Sequence, residues 1–130
     1  MDKYGDASVR AAKLLSIGTF ATPREAWDSA VLEIFPDRLP SRIKGCPRAA
    51  FLSLCQLGVI RGVIKGNYTR SVRNRDDVAG ALDELIRSPE LAEDKLRLWA
   101  LATGNIGKAH NSQMDVVISL FHAGYLDIRS

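Results

Sequence analysis

The chain has 130 residues, of which 46% are hydrophobic and 25% charged, with a formal net charge of +3. These are the proportions of one globular domain that buries a core without staples, and they exclude a disordered or fibrous chain. The longest nearly apolar run, 49–60, is interrupted by Ser53 and Gln56 and is too short to cross a bilayer. No charged start with an apolar segment and cleavage site follows Met1, so a cytoplasmic protein that avoids membranes is expected.

Taken in chain order, the elements are punctuated by helix signals. Val9, Ala12 and Leu15 recur every three residues and predict a first helix over 6–16. Thr22-Pro23-Arg24-Glu25 then places a capping threonine before a proline at the first helical position, where a missing N–H costs nothing, with a glutamate able to answer the free donors. The helix it opens runs over 23–35, buries Trp27, Ala30, Val31 and Ile34, and stops at Pro36. A loop rich in Pro, Arg and Lys spans 37–45. Pro47 starts the next helix, Phe51, Leu54 and Cys55 give its buried face, and Gly58 supplies a left-handed C-terminal cap. The β-branched stretch 59–63 is expected to extend.

In the second half, Asp76 or Asp77 opens a helix through Val78, Leu82, Leu85 and Ile86, and Ser88-Pro89 opens another that carries Leu96 and Trp99 to about Gly104. Ser112-Gln113-Met114-Asp115 reads as a capping-box variant in which Asn111 and Ser112 cap the last helix and Asp115 is its acid. Met114, Val117, Ile118 and Phe121 form one face until Gly124, and 125–128 is expected to extend.

One stretch occurs twice at a spacing of 66 residues: Ser53 matches Ser119, Leu54 matches Leu120, Gly58 matches Gly124, and apolar residues match between them. A repeat at fixed spacing predicts a duplicated unit. The expected fold is all-α, about six helices in a single domain over 1–130, as two tandem, helix-turn-helix-like units of three helices (about 4–63 and about 74–128). The extended tails 59–63 and 125–128 are expected to pair as a small two-stranded antiparallel ribbon, because unpaired backbone donors are costly. Trp27 and Trp99 lie 72 residues apart, so the loops must differ in length.

Gly45-Cys46-Pro47, Gly66-Asn67-Tyr68-Thr69-Arg70-Ser71 and Asn111-Ser112-Gln113-Met114-Asp115 carry more polar identity than packing requires. Together with the helix-glycine-apolar endings they resemble an uncharacterised family of small bacterial proteins. That resemblance implies a shared fold and brings no activity, cofactor or catalytic residue.

The segment 61–75 is the strongest functional candidate. Arg61, Lys65, Arg70, Arg73 and Arg75 occur there without an acid, giving charge for phosphate contacts. Asn67, Tyr68 and Thr69 add amide and hydroxyl donors and one aromatic face for a base. The segment follows a glycine-capped helix and a short strand, the place of the wing in a winged helix-turn-helix. The leading expectation is a non-enzymatic module that associates with nucleic acid. The alternative is a protein-interaction module, an inhibitor or adaptor, using the same segment against an acidic partner. A small hydrolase using Cys46 and His110 ranks third, since no orienting group or oxyanion site accompanies that pair. His110 and His122 lack further ligands at metal-binding spacing, and no phosphate-loop or dinucleotide fingerprint is present, so no catalytic residue, metal or cofactor is assigned. Cys55 reads as a small core residue.

Overall fold

The computed structural model describes residues 2–105 and 107–128. Among them run seven α-helices and one 3-10 turn, with no strand: α1 (Lys3–Ser16), α2 (Pro23–Ile34), the four-residue α3 (Leu39–Arg42), α4 (Gly45–Leu57), α5 (Val72–Arg87), the 3-10 turn Pro89–Glu93, α6 (Lys95–Thr103) and α7 (Gln113–His122). The all-α class expected from the helical spacing is the class observed.

Local chemistry explains most boundaries. The Thr22 hydroxyl accepts the Glu25 amide at 3.3 Å and Pro23 stands in the first turn of α2. The Asp2 carboxylate accepts the amides of Tyr4 and Gly5, which starts α1 at Lys3 rather than at Asp6. Between α5 and α6, Ser88-Pro89 opens only the 3-10 turn, and the helix proper begins after Asp94, whose carboxylate accepts the Arg97 amide at 3.2 Å. That later start changes the phase of α6, which buries Leu98 and Trp99 and leaves Leu96 68% exposed.

One continuous apolar core joins all the long helices. The α1 helix lies mainly on α2 and α7, α5 on α6 and α4, and α4 also meets α7 and α2. Trp27 of α2 is fully buried and stacks on Phe51 of α4, with ring centroids 5.4 Å apart. Gly5 and Gly80 mark the tightest crossings. A Cβ on Gly5 would collide with the Ser119 side chain of α7, and one on Gly80 would sit 2.5 Å from the Ala102 carbonyl oxygen of α6. Cys55 is fully buried, and burial pushes its thiol well above the ordinary range, so it acts as a small apolar residue.

The tails expected to form a ribbon meet in a single antiparallel bridge, Ile60 opposite Leu126. Arg61 N donates to the Tyr125 carbonyl at 2.8 Å and Asp127 N to the Val59 carbonyl at 2.7 Å. Pairing goes no further because Gly62 takes a left-handed φ of 80° and Val63 N turns back to the Ile60 carbonyl at 3.1 Å. The expected two-stranded ribbon is therefore reduced to this one bridge among the described residues.

The endings of α4 and α7 agree in detail. Gly58 and Gly124 have φ of 79° and 80°. Val59 N reaches the Leu54 carbonyl and Tyr125 N reaches the Leu120 carbonyl, at 3.4 and 3.0 Å, the six-to-one bond of a glycine-ended helix. The elements before them differ, since α3 has no counterpart of equal form in the second half and the 3-10 turn has none in the first.

Candidate functional site

A cleft of about 730 Å³ opens beside the starts of three helices. Arg24 comes from the start of α2, Gly45, Arg48, Ala49 and Leu52 from α4, and Ser71 and Asn74 from the start of α5. The fourth wall is the connection Asn67, Tyr68, Thr69 and Arg70.

That connection is irregular but firmly held. The Gln56 side-chain oxygen accepts both the Tyr68 amide at 2.9 Å and the Thr69 amide at 3.1 Å. The Tyr68 hydroxyl donates to the Ile64 carbonyl, and its ring lies so close over Gly66 that a Cβ there would meet the ring at 2.9 Å. Ser71 then caps α5 by accepting the Asn74 amide and side-chain NH2, at 3.4 and 2.9 Å. Arg70 is thereby carried by a braced loop.

Three arginines face this space with little to neutralise them. Arg24 is 3.2 Å from Asp28, an exposed pair on one helix face. Arg48 and Arg70 have no hydrogen-bond or carboxylate partner among the described residues. The start of α4 adds to the same field: Lys44 precedes it without any side-chain cap, and no acid stands in its first turn. Unanswered backbone donors and the positive end of the helix dipole both favour an anion there.

The structure redistributes the residues singled out in the sequence. Asn67, Tyr68, Thr69 and Arg70 gather in the cleft. Arg61 instead braces the tails, its Nε donating to the Gly124 carbonyl at 3.0 Å and its Nη1 lying 3.9 Å from Asp127. Lys65 packs its stem over Gly58. The basic stretch is not one loop, because α5 begins at Val72; Arg73 and Arg75 are helical, and Arg75 sits 3.9 Å from Asp76. Arg24 and Arg48 were missed. Their signal was present: a cation in the first turn of a helix opposes the dipole and stands there at a cost unless an anion joins it.

A second, smaller cavity of about 230 Å³ adjoins the first, and Asn74 lines both. Cys46, Arg73, Asp77, Lys108, Ala109, Asn111 and Gln113 complete it. Lys108 Nζ bonds Asp77 Oδ2 at 2.7 Å, an ion pair whose side chains are only 19% and 10% exposed, and the ammonium also lies over the Trp99 ring at 5.4 Å. Gln113 Nε2 donates to Asn74 Oδ1 at 3.3 Å, and Gln113 Oε1 accepts the Asn111 amide at 2.7 Å.

This network also starts α7, by means other than those the sequence suggested. Ser112 has a left-handed φ of 68° and makes no capping bond; His110 Nε2 accepts the Met114 amide at 3.0 Å instead. Asp115 pairs with Lys95 at 3.0 Å rather than closing a capping box. The His110 ring packs edge-on to Trp99 at 5.2 Å, and burial holds its pKa below the ordinary value. Its Nε2 lone pair is engaged, so His110 acts as the cap of α7.

Among the described residues no group of three or more His, Cys, Asp or Glu could hold a metal ion, and no helix is long and apolar enough to cross a membrane. The fold and cleft thus define an all-α protein with an arginine-lined surface cleft. The chain belongs to the family described as "Family of unknown function (DUF6979)", whose model matches residues 1–127. No curated protein and no solved structure matches it.

Proposed function

We propose that this protein is a non-enzymatic module that associates with nucleic acid and holds the phosphate backbone in the α2–α4–α5 cleft. The convergence of Arg24, Arg48 and Arg70 from three separate elements beside Tyr68 carries this reading. Guanidinium groups match phosphate geometry, the open start of α4 adds backbone donors, and Asn67, Thr69 and Tyr68 offer sugar and base contacts. Arg61, Lys65 and Arg75 contribute only to the surrounding positive field, whereas Arg73 stands at the adjoining cavity. The matched endings of α4 and α7 support reading the two halves as related units, with this cleft set beside the first of them.

An acidic protein segment would meet the same guanidinium groups, and salt dependence separates the two readings. Binding of single-stranded DNA and RNA, followed by fluorescence anisotropy from about 50 to 200 mM salt, should fall steeply. Replacing Arg48 and Arg70 together by Ala should weaken every sequence about equally and lower the log–log salt slope by about 2, one released counterion for each lost phosphate contact. If the intact protein binds neither nucleic acid at about 50 mM salt, the proposal is wrong and the acidic protein partner takes its place.

A further inference from the structure

We infer that the small polar cavity beside the cleft is a base-reading subsite, receiving one nucleobase of a strand whose phosphate lies on the arginines. The inference rests on the nucleic-acid reading above and adds a base preference to it. Adjacency carries the geometry, because Asn74 lines both spaces and sets the second cavity beside the arginines.

The chemistry of the walls carries the ligand class. A second phosphate site would have no use for a carboxylate, yet Asp77 stands in this cavity, 7% exposed and held by Lys108 at 2.7 Å. A carboxylate has about four acceptor positions. The bond from Lys108 to Oδ2 leaves Asp77 able to accept an exocyclic amino group as well. Lys108, Arg73 and the Asn111 amide are donors around the same space, and Asn111 is also an acceptor. Donors and acceptors side by side on a fixed floor are what the edge of a base requires, and they are what distinguishes one base from another.

The floor is also rigid. Gln113, 4% exposed, is bonded to Asn74 on one side and to the Asn111 backbone on the other. Groups fixed in this way keep their positions without a ligand, so less order has to be imposed on binding. The Asn111 side chain is exposed and makes no hydrogen bond among the described residues, since the bond to Gln113 uses its backbone amide.

The test compares oligonucleotides of A, C, G and T of equal length, an abasic strand of the same length, and the four free nucleoside monophosphates. They are titrated against the intact protein, Asn111→Ala, Arg73→Ala and the Arg48→Ala/Arg70→Ala pair. The intact protein should prefer one base by about tenfold, the discrimination of a good bidentate contact. Asn111→Ala should erase that preference while melting as the parent does and still binding the abasic strand as the parent does, and Arg73→Ala should erase it with an added uniform loss on every strand from the missing charge. The arginine pair should weaken all strands together and keep the preference.

Equal affinity for the four bases, or a preference unchanged in both cavity variants, overturns the subsite and leaves the phosphate cleft standing. No binding of any strand overturns the nucleic-acid reading itself. Base-selective capture of a free monophosphate in that case would keep the cavity assignment and make its ligand a free nucleotide.

Discussion

Helices α4 and α7 share a sequence match at a spacing of 66 residues and stop with the same glycine cap, but their first turns are put to opposite uses. The start of α7 is closed from within: His110 accepts the Met114 amide, Gln113 accepts the Asn111 amide just before the helix, and Asp115 pairs with Lys95. The start of α4 is left without a side-chain cap and faces an arginine-lined cleft. A helix end answered by its own chain contributes stability, whereas an end left open is free for a ligand. The two share their glycine-capped ends and the buried pair Leu54 and Leu120, and the candidate chemistry lies where they differ.

The shared cores set the largest effect. Leu54 and Leu120 occupy matching positions and both are fully buried, so truncating either to Ala should cost about 2–5 kcal/mol by chemical denaturation. Costs within each other's error would sharpen the equivalence of the two helices; a negligible cost at one of them would break it.

The glycine caps come next. Gly58→Ala and Gly124→Ala each force a side chain into the left-handed region, for about 1–2 kcal/mol. Gly58→Ala should be the more damaging of the two, because its new Cβ would stand 3.1 Å from Lys65 Cβ while that of Gly124 meets nothing within 4 Å. The difference between the two melting temperatures reads this directly.

The starts should differ in their response to pH. Burial lowers the folded pKa of His110 below its unfolded value near 6.5, so the unfolded chain binds the extra proton more readily. Stability from this cap is therefore full above about pH 6.5 and is lost as pH falls through the folded pKa, when an imidazolium can no longer accept the Met114 amide. His110→Ala should cost on the order of 1 kcal/mol at neutral pH, as other lost caps do, and should flatten that acid-side decline in stability. An unchanged profile would show that His110 does not control the start of α7.

The smallest effect on stability belongs to the cleft. Arg48→Ala and Arg70→Ala should shift unfolding by less than about 0.5 kcal/mol each, since neither side chain has a bonding partner to lose. A large loss at Arg48 would mean that α4 needs its guanidinium for folding, which would erase the contrast with α7.

Much of the helical frame was legible because its causes are local. Thr22-Pro23, Pro36, Gly58 and Gly124 act through their own dihedrals and hydroxyls, and the i, i+3, i+4 spacing of Phe51, Leu54 and Cys55 needs no distant partner to mark a buried face. Reading failed where a competing neighbour overruled the expected signal. Ser112 looked like a cap and was displaced by His110; the β-branched tails looked like strands and were cut to one bridge by the turn at Gly62.

The candidate site was half legible for the same reason. Asn67, Tyr68, Thr69 and Arg70 are neighbours in sequence and remain neighbours in space. Arg61 and Lys65 are drawn aside by partners that the fold supplies, the Gly124 carbonyl and the Gly58 surface, and Arg75 sits by its own neighbour Asp76 on the helix.

By itself the sequence determined the all-α class, the main helices and the residues that fill the core, because hydrophobic period and capping chemistry act within a few residues. Tertiary structure alone decided that Arg24 and Arg48 join Arg70, and that Asn74 links their cleft to the cavity of Asp77, Lys108 and Gln113. Those side chains come from helices and connections far apart in the chain, and only the packing of α2, α4, α5 and α7 around one core fixes the distances between them.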